Sequence, residues 1–87
     1  MNIHWLDKAW EEYLEWQNSD RKALKKINSL LKDICRNGYD CSGKPERLRG
    51  DLADYWSVRI DKKNRIVFRI VGGYVEVTQC GTHYRDK

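Results

Sequence analysis

The spacing of apolar residues changes once along this chain, and that change constrains the fold more than any other feature. Up to Asn37 the apolar residues recur every three to four positions, as they do on one face of a helix. From Tyr55 onward they alternate with polar residues, as they do in strands that bury only one face. The pattern predicts a two-layer α+β fold, and no repeat or linker divides residues 1–87, so we expect a single domain.

The helical part of the chain is predicted to contain two helices. Asp7 is expected to cap the first helix and Ser19 the second, because short polar side chains accept hydrogen bonds from free backbone N–H groups there. Asn37-Gly38 is a stop signal for the second helix. Since one or two residues join the helices, we expect an antiparallel hairpin, preceded by a short edge strand at residues 2–5.

Three strands are predicted after a loop at residues 38–54, and turn chemistry predicts how they pair. Gly72-Gly73 suits a two-residue hairpin turn. Counting back from this turn places Phe68 opposite Val77 on the core side. The same count places Arg65 opposite Cys80 on the open side.

The turn around Asp61-Lys62-Lys63-Asn64, between the first and second predicted strands, is predicted to bring two arginines together. If Ile60 and Ile66 share the core face, the loop between the strands must hold an odd number of residues. A three-residue loop places Arg59 opposite Arg65. Facing like charges cost up to about 1 kcal/mol, which a fold tolerates more readily when an anion such as phosphate sits between the guanidinium groups. The alternative is a pair of solvated arginines on an exposed face.

The net charge of +4 is concentrated in one segment of the chain. Residues 42–71 carry eight basic and four acidic side chains, whereas the segments before and after each sum to zero. A positive patch suits a polyanion such as RNA or DNA, and a solvated basic surface is the alternative interpretation.

The composition argues against several other classes of protein. No apolar run approaches the roughly 18 residues that a membrane span needs, and the first ten residues show no signal peptide. The three cysteines, Cys35, Cys41 and Cys80, cannot all pair and fit no zinc motif. We therefore expect a cytoplasmic protein with free thiols and no membrane partner.

Two further residues complete a set of groups suited to RNA cleavage. Cleavage through the 2′-hydroxyl of RNA needs a base, an acid and a cation that stabilises the charged phosphorane. Glu46 lies in the basic loop, and His83 is three residues beyond Cys80, within about 10 Å of extended chain. With arginine as the cation no metal cofactor is required, and no carboxylate cluster for Mg²⁺ is visible. A glutamate and a histidine on the surface with no such role are the alternative.

Six runs of sequence carry a resemblance to a known family. They are W-x-x-Y-L-E-W-Q (Trp10–Gln17), K-K-I-N-S-L-L-K-D-I (Lys25–Ile34), G-K-P-E-R-L (Gly43–Leu48), Y-W-S-V-R-I (Tyr55–Ile60), N-R-I-V-F (Asn64–Phe68) and the closing H-Y (His83-Tyr84). In this order, over residues 1–84, they resemble the YoeB/Txe toxins of the RelE-like superfamily of bacterial toxin–antitoxin systems.

The resemblance implies a fold, an activity and partners. The fold is the β-α-α-β-β-β microbial-RNase (RelE-like) fold, with an antiparallel sheet packed on a helical hairpin. The activity is that of a metal-independent, ribosome-dependent mRNA endoribonuclease, which inhibits translation and leaves 2′,3′-cyclic phosphate and 5′-OH ends. The implied partners are a YefM-type antitoxin, the 70S ribosome with its mRNA, a second copy in a homodimer, and operator DNA only through the antitoxin.

The resemblance also implies roles for individual residues. Glu46 resembles the family's general base, Arg65 its phosphate-stabilising cation and His83 its general acid. The positions that resemble those binding the substrate or its phosphates are Arg59, Tyr84, Arg49 and Lys44. Arg49 stands where the family often has lysine, and the chain continues past the usual terminal tyrosine with Arg85-Asp86-Lys87.

Two other functions stay open from the sequence. The chain could be a non-catalytic binding module of the RelE fold, which includes gyrase-directed toxins, but those are not expected to carry the pair Glu46 and His83. It could also be a plain RNA-binding protein, which would bind in a salt-sensitive way and yield no cyclic phosphate product.

Overall fold

The computed structural model describes residues 1–81 and confirms the α+β fold, with two helices packed on a five-stranded sheet. The elements are β1 (Ile3–Trp5), α1 (Asp7–Ser19), α2 (Arg21–Asn37), β2 (Glu46–Arg47), β3 (Trp56–Arg59), β4 (Arg65–Val71) and β5 (Tyr74–Gly81). Single turns of 3₁₀ helix lie at Gly38–Asp40 and Gly50–Leu52. The order across the sheet is β1-β5-β4-β3-β2. The predicted site residues His83 and Tyr84 lie outside the described residues.

The N-cap of each helix lies one residue away from its predicted position. Leu6 is the residue before α1, and Asp7 is the first helical residue rather than the cap. Ser19 ends α1 and donates its hydroxyl hydrogen to the carbonyl of Glu15 at 3.1 Å. Asp20 instead caps α2, because it alone separates the helices in an extended conformation and its carboxylate accepts from Ala23 N at 3.0 Å. The predicted stop at Asn37-Gly38 is confirmed.

The core lies between the helices and one face of the sheet. The buried residues of α2 share one stripe of the helix and are Ile27, Leu30, Leu31 and Ile34. The strand residues that meet them alternate along β3, β4 and β5 and are Val58, Ile66, Phe68, Val75 and Val77. The two periods of the sequence therefore meet in a single core, as predicted.

The sheet is mixed, whereas an antiparallel sheet was expected. β3, β4 and β5 pair antiparallel, but β1 pairs parallel with β5 and matches Ile3 with Val75. Within the predicted loop, β2 pairs antiparallel with β3 and matches Glu46 with Ser57. β1 has three residues and β2 has two, so neither shows an alternation long enough to reveal how it pairs.

A β-bulge in β5 overturns one predicted pairing. The register from the Gly72-Gly73 turn is confirmed as far as Phe68 opposite Val77. Thr78 is then an additional residue on β5, so that Val67 faces Gln79 and Arg65 faces Gly81. The predicted pair of Arg65 and Cys80 is therefore wrong. An additional residue exchanges the two faces of the strand beyond it, and this turns Cys80 into the core.

Candidate active site

The turn between β3 and β4 holds two arginines opposite each other. Arg59 pairs with Arg65, as the three-residue loop predicts. Ile60 N donates to Asn64 O at 2.8 Å and closes the ladder. Inside the turn, the Asp61 carboxylate accepts from Asn64 N at 2.7 Å. The turn therefore fixes the register of the two arginines from within its own residues.

The loop that leads to β2 is held from two sides. The Asp33 carboxylate of α2 accepts from Ser42 N at 2.6 Å, and Gly43 O accepts from Arg59 N of β3 at 2.9 Å. Gly43 has φ +90°, and a Cβ there would lie 2.8 Å from Leu30 Cδ2, so only glycine fits between α2 and β3. The following residues consequently enter the sheet beside β3, and Glu46 takes a set position.

Three side chains from adjacent strands form a contiguous group on the open face of the sheet. Arg65 Nη1 donates to Ser57 Oγ at 3.0 Å and lies 3.5 Å from Glu46 Oε1. Ser57 is fully buried, the Arg65 side chain is 18% exposed and the Glu46 side chain is 67% exposed. The guanidinium is thus oriented from below by a hydroxyl, while the carboxylate stays open to solvent. Guanidinium groups suit phosphate geometry and exposed carboxylates can accept protons, so both kinds of group lie side by side here.

The structure brings some of the predicted site residues together and leaves others apart. Glu46, Arg59 and Arg65 lie on neighbouring strands. The pairing of the two arginines was predicted, whereas Glu46 was expected in a loop and lies on β2. Lys44 and Arg49 are exposed positions of the loop, two residues before and three residues after Glu46. His83 and Tyr84 lie outside the described residues, although Gly81, the residue opposite Arg65, is only two positions before His83.

Ser57 is a site residue to which sequence reasoning assigned no role. The sequence indicated Ser57 only through the alternation of β3, which places it on the same open face as Arg59. That alternation does not reveal that a fully buried hydroxyl would meet a guanidinium of the next strand. Only the contact distance identifies Ser57 as the group that orients Arg65.

The two buried cysteines, Cys41 and Cys80, are not placed to act as nucleophiles at this site. Cys80 is fully buried in the core, and burial, with a smaller effect from the Glu12 carboxylate, raises the pKa of its thiol to about 12. Burial likewise raises the pKa of the Cys41 thiol. Within residues 1–81, no three His, Cys, Asp or Glu side chains form a group that could hold a metal ion, and no helix there is long and apolar enough to cross a membrane.

Comparison with known proteins gives one consistent family. The family described as the YoeB-like toxin of bacterial type II toxin–antitoxin systems matches residues 5–84. Toxin YoeB of Streptomyces coelicolor is 43% identical over 84 residues, which are 97% of this chain and all of that protein. These matches confirm the resemblance inferred from the sequence motifs.

Solved structures agree with the sequence matches. A YoeB/ParE toxin from Agrobacterium tumefaciens superposes with a TM-score of 0.91 at 41% identity and covers 97% of this chain and 100% of its own. A YoeB–YefM complex from Staphylococcus aureus gives a TM-score of 0.87 at 39% identity, covering 97% and 98% of the two chains. A YoeB dimer from Staphylococcus aureus gives 0.86 at 40% identity with the same coverage.

Proposed function

Because the chain belongs to the family of YoeB-like toxins of bacterial type II toxin–antitoxin systems, we propose that it is an endoribonuclease that cuts mRNA on the ribosome. One observation carries the proposal. On the open face of the sheet an exposed carboxylate, Glu46, lies 3.5 Å from a guanidinium, Arg65, that a buried hydroxyl orients. Arg59 is opposite Arg65 on the neighbouring strand and supplies a second guanidinium suited to phosphate.

The chemistry proposed for this site is transesterification within the RNA. The Glu46 carboxylate removes the proton of the 2′-hydroxyl, and the 2′-oxygen attacks the adjacent phosphorus. Arg65 and Arg59 stabilise the negative charge of the phosphorane, which is the type of interaction that contributes most to many enzymatic rates. The bond from phosphorus to the 5′-oxygen then breaks, and His83 donates a proton to that oxygen. The products are a 2′,3′-cyclic phosphate and a 5′-hydroxyl.

Four further residues are assigned to the proposed site, and none of them donates or accepts a proton in the reaction. Lys44 and Arg49 are exposed cations on the loop that carries Glu46, and we assign them to the phosphates on either side of the scissile one. Tyr84 follows the proposed acid directly and is assigned to positioning of the substrate. Ser57 keeps the Arg65 fork in one orientation, so that fewer rotamers must be ordered when a phosphate binds.

The proposed partners follow from the relatives and from the small basic area. A related toxin of Staphylococcus aureus has been solved with YefM and as a dimer, and we assign this chain a YefM-type antitoxin and a homodimeric state. Operator DNA would then be reached only through the antitoxin. A net charge of +4 is small for gripping RNA unaided, which supports the 70S ribosome as the partner that presents the mRNA.

The test is induction of the chain in bacterial cells, with the 5′ ends of mRNA mapped before and after induction. The wild type should arrest growth and create new 5′-hydroxyl ends within coding sequences, whereas Arg65→Ala and His83→Ala should do neither. Arg36→Ala removes an exposed cation of α2 and serves as the matched control that remains toxic. Full toxicity of both site variants, or DNA damage without mRNA cleavage, would show that the proposal is wrong.

The dependence on ribosomes needs an experiment of its own. Purified protein is mixed with one mRNA, either free or bound in the A site of a programmed ribosome. We expect cleavage only in the ribosomal complex, and suppression of that cleavage by a YefM-type antitoxin. Cleavage of free RNA at a comparable rate would contradict the assigned role of the ribosome.

A further inference from the structure

At the C-terminal end of β5, the edge that faces away from β4 is hydrogen-bonded by side chains instead of by a neighbouring strand. β1 covers this edge of β5 only opposite Val75, Glu76 and Val77. Three residues further on, the Glu12 carboxylate of α1 accepts from Cys80 N at 2.7 Å. The Trp16 indole of the same helix donates to Cys80 O at 2.9 Å. One helix therefore satisfies both backbone groups that an adjacent strand would otherwise pair.

The hydrogen bonds of Glu12 and Trp16 to Cys80, here called the clamp, fix the orientation of two successive peptide planes. The N–H of Cys80 belongs to the peptide before it and the carbonyl to the peptide after it, and each peptide is planar. Glu12 and Trp16 are both half-buried, and a hydrogen bond to a carboxylate is stronger than a neutral one. On its other edge Cys80 pairs with Ile66 of β4. The direction in which the chain leaves β5 at Gly81 is consequently set from both edges.

The position of the clamp gives it a consequence for the site. Gly81 is opposite Arg65, and His83 is only two positions further along the chain, a span of about 7 Å at most. A change in the departure direction at Gly81 would therefore move the start of the segment that carries the proposed acid. Misplacement of a catalytic group by about 1 Å lowers rates substantially.

We propose that Glu12 and Trp16 are positioning residues, which hold the end of β5 so that the segment carrying His83 starts beside Arg65. The inference rests on the proposed function, because it gives these residues a role in protonation of the leaving oxygen. Neither residue touches the substrate. Their effect passes through the backbone of Cys80 and should be confined to the step that needs the acid.

The first experiment measures single-turnover cleavage of mRNA on programmed ribosomes, together with the affinity for the ribosome. Glu12→Ala and Trp16→Phe should each lower the cleavage rate by about tenfold, the effect of one such hydrogen bond, and leave the affinity unchanged. Glu12→Gln keeps a carbonyl oxygen that accepts from Cys80 N, so it should retain most of the activity. Glu11→Ala, an exposed neighbour on α1, is the matched control. Wild-type rates for both Glu12→Ala and Trp16→Phe would overturn the inference.

A second experiment separates positioning of the acid from a general loss of structure. The substrate carries sulfur in place of the bridging 5′-oxygen, and a thiolate leaves without needing a proton. With this substrate Glu12→Ala and Trp16→Phe should match the wild type, and so should His83→Ala. An equal loss on the oxygen and sulfur substrates would indicate a merely structural role and would overturn the inference.

The behaviour of His83→Ala distinguishes failure of this inference from failure of the proposed function. If His83→Ala cleaves the oxygen substrate as fast as the wild type, the assigned acid is wrong and the clamp has nothing to position. If His83→Ala is inactive while both clamp variants keep wild-type rates, the proposed function stands and only the clamp inference fails.

Discussion

Arg65 Nη1 lies 3.5 Å from Glu46 Oε1, so the proposed cation and the proposed base form an ion pair across neighbouring strands. A guanidinium has several donors arranged in a plane, and it can contact the Ser57 hydroxyl, the carboxylate and a phosphate at the same time. An ammonium is a point charge and lacks this geometry.

The first prediction concerns the geometry of this cation. Arg65→Ala should lower the single-turnover cleavage rate by about 10²- to 10³-fold, the usual cost of removing one group that stabilises transition-state charge. Arg65→Lys should recover only a small part of that loss, because it keeps the charge but not the fork. Cleavage of ribosome-bound mRNA is the measurement, with Arg36→Ala as the control. Full recovery by lysine would show that charge alone matters there.

The second prediction concerns the hydroxyl beneath the guanidinium. Ser57→Ala removes the acceptor that orients Arg65, and we expect the cleavage rate to fall by about tenfold with little change in ribosome affinity. The free energy of unfolding should change little, because the hydroxyl is lost together with its own need for a partner. Ser29→Ala, an exposed serine of α2, is the control. An unchanged rate for Ser57→Ala would remove Ser57 from the site.

The third prediction concerns stability and pH. Hydrogen bonds from Ser42, and then from Asn37, hold the pKa of the Asp33 carboxyl below its ordinary value of 3.8. A carboxyl with a lowered pKa stabilises the fold above its unfolded pKa, and that stabilisation is lost as the pH falls through the folded pKa. Asp33→Ala should therefore be less stable than the wild type at neutral pH, with a gap that narrows at acid pH.

Urea unfolding at a series of pH values measures this gap. The exposed carboxylate Glu15 accepts no hydrogen bond through its side chain within residues 1–81, and Glu15→Ala serves as the control. A gap between Asp33→Ala and the wild type that stays constant from neutral to acid pH would contradict the prediction.

The fourth prediction concerns the thiols. Cys35 is partly exposed, whereas Cys41 and Cys80 are buried, and burial raises the pKa values of both buried thiols. A thiol reagent at neutral pH should therefore modify one cysteine of the folded protein rapidly and all three only after unfolding. In Cys35→Ser the rapid phase should be absent. Rapid modification of Cys80 in the folded state would contradict its place in the core.

Much of this architecture can be read from local rules. Periodicity predicts both helices and the three long strands, and Gly72-Gly73 predicts the hairpin with Phe68 opposite Val77. The parity of the loop between Ile60 and Ile66 also predicts that two arginines face each other. Each of these features depends on residues that are near one another in the chain.

The errors came from features that local rules do not describe. The bulge at Thr78 has no glycine or proline to mark it, and it exchanged the faces of the last residues of β5. Strand β2 is two residues long and exists because β3 offers it an edge. The cap of α2 is Asp20 instead of the predicted Ser19, because Asp20 is the only residue between the helices.

The sequence by itself determined the two layers, the long strands and the arginine pair, because periodicity and turn chemistry act between neighbours in the chain. Tertiary structure alone decided which groups surround that pair. The carboxylate of Glu46 reaches Arg65 through packing of Gly43 between α2 and β3. The end of β5 is held by two side chains of a helix more than 60 residues earlier in the chain. Contacts of this kind depend on the folded shape of the whole domain, and no local pattern of residues encodes them.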